Sequence, residues 1–372
     1  MLIPNAPIFY QASLGFLVTA ALLWLLAKVA PRLGLVDKPS ARKQHSESTP
    51  LVGGLAIYGA LMTAGALWWL GADWGLAPSL AQENASFVLA VFALASTILV
   101  TVGALDDRFN LGVFLRLATE FAVALLIVDA LQVDLNNLGN LFGTGDIRLP
   151  PQLSYSFTIV AIVGTLNALN MIDGLDGLLA SLILCMFLGY RLISDHPPGL
   201  LGMTYAGALT AFLASNLNLM PRFPKTFLGD AGSKLLGLSV VSLLLTAVNN
   251  NTNQLISPVS ILFVIGFPLY DMCYVLLKRI ASNRSPFKPD RSHLHHLLKA
   301  CGATDFQALY IILAIHLFMS FVGWVLHQSN APEYYQFALY IGGFVLYAAL
   351  VQKVWQALRY MTHLVNTRDS SA

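Results

Sequence analysis

Apolar residues run along this chain in eleven blocks separated by polar breaks. They lie at about residues 11–30, 51–71, 86–105, 114–132, 153–169, 177–194, 199–219, 233–248, 256–277, 306–327 and 336–358. Each is near the length that an α-helix needs to cross a bilayer, about 20 residues. The pattern predicts an all-α, polytopic integral membrane protein with about eleven transmembrane helices. It reads as one membrane-embedded domain over residues 1–372, without linkers or internal repeats. No positively charged segment precedes the first block, so no removable signal peptide is expected. Pro268 sits inside the ninth block and predicts a kink or break there.

Composition sharpens this picture. The chain is 56% hydrophobic and 11% charged, whereas soluble domains carry about 25% charged residues. The net charge of +2 says little by itself, and no nucleic-acid partner is expected. Cys185, Cys273 and Cys301 are scattered and odd in number, so neither a disulfide framework nor a cysteine metal site is expected.

The placement of Lys and Arg orients the blocks. Arg32, Lys38, Arg42 and Lys43 follow the first block, and Arg108 the third, with Arg116 just inside the fourth. Arg222, Lys225 and Lys234 follow the seventh, and six cations between Lys278 and Lys299 follow the ninth. Arg359 and Arg368 come after the last. Connections of the other parity hold mainly acids or neutral polar residues, such as Glu83, Asp134 and Asp195. The odd connections and the C-terminus are therefore expected in the cytoplasm, and the N-terminus outside.

Five polar clusters then share the cytoplasmic face. The central one is Asn167-Ala168-Leu169-Asn170-Met171-Ile172-Asp173-Gly174-Leu175-Asp176-Gly177, between two apolar blocks. A turn there needs glycine for positive φ, but not two acids and two amides. Asp173 follows a helix C-terminus, where a carboxylate opposes the macrodipole unless a cation compensates it. Asp106-Asp107 ends the third block under the same penalty; it reads as a metal- or proton-handling pair, or as a solvated pair neutralised by Arg108. Phe227-Leu228-Gly229-Asp230-Ala231-Gly232-Ser233 opens the eighth block. Asp230 is placed like an N-cap, and the glycines would let amides approach a phosphate. Residues 36–54 combine Val36-Asp37-Lys38-Pro39, Lys43, His45 and the pair Gly53-Gly54. Residues 284–296 combine Arg284, Lys288, Arg291, His293, His295 and His296. If that segment is helical, His293 and His296 share a face and His295 points elsewhere. No cysteine lies within it, which argues against structural zinc; His beside basic residues suits a polyphosphate better. Glu120, Asp129 and Asp271 lie inside apolar blocks, where an ionisable group is a functional candidate, yet the sequence gives them no role.

Carboxylates suited to a divalent cation, with cations suited to phosphate, point to phosphoryl transfer. Their position at a bilayer surface implies one soluble and one lipid substrate. A secondary transporter would instead place its polar clusters near mid-membrane and repeat its halves; this chain puts its polar clusters at the ends of the blocks and shows no clear repeat.

The same residues carry a family resemblance. Asp106-Asp107-Arg108, the stretch 167–177, Gly229-Asp230-Ala231-Gly232-Ser233 and the His293/His295/His296 cluster, in that order, resemble the polyprenyl-phosphate N-acetylhexosamine-1-phosphate transferases. The runs from Val36 and from Arg284-Ser285-Pro286-Phe287 are most similar to the bacterial branch that uses UDP-GlcNAc and undecaprenyl phosphate. The likeness spans about residues 35–300. It implies eleven spans, a cytoplasmic cleft and Mg²⁺, with Mn²⁺ as a substitute. It also implies a place in the bacterial inner membrane, at the first membrane step of O-antigen or related surface glycans, and it is compatible with a homodimer. By matching motifs, Asp230 and Asn170 would bind the metal, and Asp106, Asp107, Asp173 and Asp176 would be catalytic. Phe227 would stack on uracil. Asn167, Gly174, Leu175, Lys43, His45, Arg284, Arg291, His293, His295 and His296 would contact nucleotide, diphosphate or sugar. The branch that uses a muramoyl-pentapeptide donor has three consecutive histidines; here Leu294 interrupts them. Another UDP-N-acetylhexosamine donor stays open.

Overall fold

Each of the eleven apolar blocks contains a helix in the computed structural model, which describes residues 6–37, 48–70, 82–194, 202–248, 256–285 and 292–369. The first eight helices are α1 (Ala6–Leu33), α2 (Gly53–Trp69), α3 (Gln82–Phe109), α4 (Val113–Leu131), α5 (Pro151–Ile172), α6 (Leu178–Ile193), α7 (Gly202–Asn216) and α8 (Gly229–Val248). They are followed by α9 (Pro258–Ile265), α10 (Phe267–Ala281), α11 (Leu294–Ala300), α12 (Asp305–Gln328) and α13 (Glu333–Asp369). The ninth block is broken, as Pro268 predicts. α9 and α10 meet at 82°. The break falls at Gly266, whose φ of +33° suits a residue without Cβ.

The chain is a polytopic, helical membrane protein. Among the described residues, five helices are long and apolar enough to cross a bilayer by length and composition, within α1, α3, α5, α12 and α13. The bent pair α9/α10 would make a sixth. α4 carries Arg116, Glu120 and Asp129 among its 19 residues, and α2 and α7 are only 17 and 15 residues long.

Two compact units divide the chain. The first comprises residues 1–136 and 149–256. Its largest apolar core joins α3 (Ala95, Leu99), α4 (Val123, Ile127), α5 (Ile162, Leu166) and α8 (Leu238, Val241). A smaller core joins Leu23 and Ala30 of α1 to Val52 and Ala56. Small residues set the spacing of the site helices. A Cβ on Gly54 would lie 2.2 Å from the Gly232 nitrogen, and one on Gly103 would lie 2.5 Å from Ala231 Cα. The backbones of α2 and α3 therefore touch the first turn of α8. Strand β1 (Val36–Asp37) pairs antiparallel with β2 (Thr49–Pro50). The chain then docks on residues 227–228: the Gly53 amide donates to Phe227 O and the Gly54 amide to Leu228 O, each at 2.9 Å. That docking accounts for the paired glycines before α2.

The second unit comprises residues 137–148 and 257–372. Glu333, at the start of α13, accepts from the Asn140 amide at 2.5 Å and from the Ser257 hydroxyl. Tyr270 of α10 packs among Tyr340, Phe344 and Tyr347 of α13.

Candidate active site

In the first unit, the ends of α3 and α5 and the start of α8 bring together acids from three of the polar clusters. Asp106 is buried. Its Oδ1 accepts from the Leu111 amide at 2.7 Å and its Oδ2 from Arg116 Nη1 at 3.0 Å. This corrects the reading of a solvated pair neutralised by Arg108. The cation is Arg116, ten residues on, while the Arg108 guanidinium lies over the Phe109 ring. The α3 dipole penalty is thus met by an amide and a guanidinium.

Asp107 faces α8. Its Oδ1 accepts from the Asp230 amide at 2.9 Å and its Oδ2 from the Ala231 amide at 3.4 Å. Gly229, at φ +74°, makes this approach feasible, since a Cβ there would lie 2.5 Å from Asp107 Oδ2. Asp230 is therefore not the cap of its helix. It lies in the first turn, and Asp107 occupies the amides that a bound phosphate was expected to meet.

Asp230 Oδ1 accepts from Asn170 Nδ2 at 2.8 Å, and the same amide group donates to Ser233 Oγ at 2.7 Å. The Asp230 and Asp106 carboxyls are neighbours whose charges oppose each other. Asp173 follows α5 as its C-cap. Burial pushes its carboxyl up to about 8, and the charges of Asp230, Asp107 and Asp176 push in the same direction. Gly177, at φ +75°, ends the turn, and its amide donates to Asn216 Oδ1. Gly174 is exposed and Leu175 buried. Asp176 pairs with Lys225 Nζ at 2.7 Å, and Lys225 lies 5.5 Å from the centre of the half-buried Phe227 ring.

Two acids without a role in the sequence now have partners. Glu120 pairs with Lys234 at 2.7 Å, both buried, and accepts from Asn167 Nδ2. Lys234 is thus a buried partner rather than one of the orienting surface charges. Asp129 accepts from Tyr155 OH at 2.9 Å. It stands about 20 Å along α4 from Arg116, at 1.5 Å per residue.

The second unit holds its own cluster. Asp271, buried on α10, contacts His293 Nδ1 at 2.7 Å and accepts from the Leu294 amide at 3.0 Å and Tyr347 OH at 2.8 Å. His293 precedes α11 in extended backbone, so the expected shared face with His296 does not form. The His293 and His295 rings instead stack, with centres 5.8 Å apart, and His295 lies 4.1 Å from His296. His295 is buried, and burial pushes its imidazole down to about 3. Both of its ring nitrogens lack a hydrogen-bond partner among the described residues; a buried polar group of that kind calls for a ligand or water. Arg284 is exposed. Lys43, His45 and Arg291 lie outside the described residues.

Sequence reasoning missed Arg116, Glu120, Ser233 and Lys234 as members of one network. The available clue was the spacing of Arg116 and Glu120, four apart in an apolar helix, which puts two charges on one face.

Among the described residues, no three His, Cys, Asp or Glu side chains form a ready-made metal cage. Mg²⁺ rarely needs one. It keeps several waters and takes one or two carboxylates plus substrate phosphates. The Asp230 carboxylate beside the Asn170 carboxamide, whose NH2 faces it here, suits such an ion. A cation would also relieve the mutual repulsion of the Asp106 and Asp230 carboxylates.

The glycosyl transferase family 4 profile matches residues 89–248, which include the acidic site of the first unit. The undecaprenyl-phosphate alpha-N-acetylglucosaminyl 1-phosphate transferase of Salmonella typhi is 34% identical over 93% of this chain and 91% of its own. The protein of that name from Escherichia coli K12 is 35% identical over the same shares. That from Pasteurella multocida is 30% identical over 94% of this chain and 95% of its own. With relatives this similar over nearly their whole length, the chain belongs to glycosyl transferase family 4, the polyprenyl-phosphate N-acetylhexosamine-1-phosphate transferases that its motifs resemble.

Proposed function

We propose that this chain transfers GlcNAc-1-phosphate from UDP-GlcNAc to undecaprenyl phosphate, giving undecaprenyl-diphosphate-GlcNAc and UMP. The observation that carries this is the near full-length likeness to transferases of that name. The acidic site, built at helix ends, suits a reaction between a soluble nucleotide and a membrane lipid.

In this reading, an oxygen of the lipid phosphate attacks the β-phosphorus of the donor. The bond from that phosphorus to the bridging oxygen breaks, and UMP leaves with the oxygen. The acceptor is a phosphate monoester with a second pKa near ~6, so much of it is dianionic at neutral pH and needs no strong base. Asp106 takes any residual proton and orients the attacking group, with Arg116 holding its carboxylate. Asp230 and Asn170 hold Mg²⁺, with Asp173 and Asp176 toward the nucleotide. When bound, the ion supplies neutralisation of diphosphate charge. Phe227 offers a ring for the base, with Lys225 nearby for charge. In the second unit, His293, His295 and His296 contact diphosphate or sugar; a neutral His295 can still donate one N–H.

Eleven spans, with the N-terminus in the periplasm, in a bacterial inner membrane complete the proposal. The Lys and Arg bias supports it even without Lys234 and Arg116. The glycan made would be O-antigen or a related surface polymer.

The test is purified protein with undecaprenyl phosphate and Mg²⁺, given UDP-GlcNAc, UDP-GalNAc or UDP-MurNAc-pentapeptide, with UMP release measured. UDP-GlcNAc should turn over fastest. Equal or faster turnover of the pentapeptide donor overturns the assignment. A preference for UDP-GalNAc corrects only the sugar.

A further inference from the structure

One helical turn beyond the acid site lies a second polar layer that the reaction as proposed leaves unused. Glu120 of α4 and Lys234 of α8 form an ion pair at 2.7 Å, with 2% and 3% of their side chains exposed. Glu120 Oε2 also accepts from Asn167 Nδ2 of α5, which donates again to Val163 O at 2.9 Å. The spacing is regular. Arg116 and Glu120 are four apart on α4, Asp230 and Lys234 four apart on α8, and Asn167 and Asn170 three apart on α5. Such pairs share a helix face. Each of these helices thus carries one group facing the acid site and one in the buried layer.

The upper layer joins Asp106 to Arg116 and Asn170 to Asp230. The lower layer joins Glu120 to Lys234 and to Asn167. Below it lies the apolar core of α3, α4, α5 and α8. Stability does not explain a buried ion pair at this depth, because well-packed apolar residues of similar volume are often as stable or more so. Geometry does. Glu120 touches both α5 and α8, the helices that carry Asn170 and Asp230.

We propose that Glu120 is a positioning residue: by holding Asn167 and Lys234 at once, it fixes the spacing of Asn170 and Asp230. The inference rests on the reading that Asn170 and Asp230 hold the divalent cation. Asn167 then acts as a strut for Asn170, and Lys234 anchors the first turn of α8.

Two double variants separate positioning from simple packing. Glu120→Leu with Lys234→Met removes both charges and the acceptor for Asn167. Glu120→Gln with Lys234→Met removes both charges but keeps an acceptor. Each is purified in detergent and its melting temperature taken. Mn²⁺ binding in the presence of UDP is then followed by electron paramagnetic resonance, and UMP release by titration with Mg²⁺. The Leu/Met variant should melt near wild type yet bind Mn²⁺ about tenfold more weakly, at the low end for lost outer-shell partners of a metal site. Its half-saturating Mg²⁺ should rise in step. The Gln/Met variant, which keeps the hydrogen bond to Asn167 but loses the Lys234 anchor, should lose less affinity than the Leu/Met variant.

Unchanged Mn²⁺ affinity in a folded Leu/Met variant overturns the proposal, as does an equal loss in both variants. If the Leu/Met variant does not fold, Asn167→Ala, which leaves the ion pair intact, must show the same weakening. Wild-type protein that binds no Mn²⁺ with UDP would refute the metal reading itself, and this inference with it.

Discussion

Asp107 caps the helix that carries Asp230: its two carboxylate oxygens accept from the Asp230 amide at 2.9 Å and the Ala231 amide at 3.4 Å. An adjacent acid pair thus does two different jobs. Asp106 turns toward Arg116 and Asp107 toward α8, 123 residues away in sequence. The capping carboxylate also favours the positive end of the α8 dipole.

Removing this cap should cost about 0.5–2 kcal/mol, the usual range for an N-terminal cap. Asp107→Ala should lower the melting temperature in detergent, and Asp107→Asn, which keeps one acceptor oxygen, should lower it less. Activity should fall in both, because the first turn of α8 holds Asp230. An Asp107→Ala protein that melts with wild type would remove the capping role.

Asp230→Asn isolates charge from shape. An amide at 230 can still accept from Asn170 and stay in the first turn of α8, so folding should persist. Its metal affinity should not. A bound cation supplies several kcal/mol of charge stabilisation, and about 1.4 kcal/mol is a factor of ten in rate. Loss of transfer by about a hundredfold or more is expected. Wild-type rate with unchanged Mg²⁺ dependence would refute Asp230 as a ligand.

Much of this was legible in the sequence, and the division follows the range of the interactions. Apolar blocks forecast helices because burial acts residue by residue along a segment. Pro268 forecast the break, although Gly266 absorbs it two residues earlier. Gly177 and Gly229 sit at positive φ, in turns where positive φ is what glycine provides. Partner choice across helices was not legible. Lys234 reads as an orienting charge until α8 packs against α3 and α5 and its side chain is buried against Glu120 of α4. Arg108, next to the acid pair, seemed its natural counter-ion, but helix geometry turns it toward Phe109 and brings Arg116 round instead. Asp271 had no visible purpose, because its partners His293 and Tyr347 lie 22 and 76 residues away.

That last contact makes its own prediction. Asp271 holds His293 by Nδ1, which leaves Nε2 for a ligand. Hydrogen bonds to charged groups contribute about 1.5–3 kcal/mol. Asp271→Asn should therefore lower kcat/KM for the donor by roughly ten- to a hundredfold. Tyr347→Phe, which spares the His293 contact, should cost less. Donor titrations of both variants check this, and unchanged kcat and KM in Asp271→Asn would confine Asp271 to the fold.

Topology is open to direct labelling. The Lys and Arg bias puts residues 284–296 in the cytoplasm and 249–253 outside. Cys185, Cys273 and Cys301 are free thiols and must first be replaced. Single cysteines at Ser292 and Asn251 should then label oppositely in intact cells. An impermeant reagent that reaches residue 292 would invert the arrangement.

The chemical step is the last test. A two-step route would need Asp106 or Asp107 to attack the donor and carry a phosphoryl ester. Their surroundings argue against it. Both Asp106 oxygens are engaged, by the Leu111 amide at 2.7 Å and by Arg116 at 3.0 Å. Both Asp107 oxygens face the α8 amides. A carboxylate held by such donors is a weaker nucleophile than a free one, and attack by Asp107 would also release the cap on α8. The lipid phosphate arrives largely as a dianion and needs no covalent relay. Protein incubated with donor labelled in the β-phosphate, without lipid, should therefore carry no label after an acid quench. Addition of undecaprenyl phosphate should move the label into lipid in one kinetic phase. A trapped phosphoryl-protein that disappears in Asp106→Asn or Asp107→Asn would establish the two-step route instead.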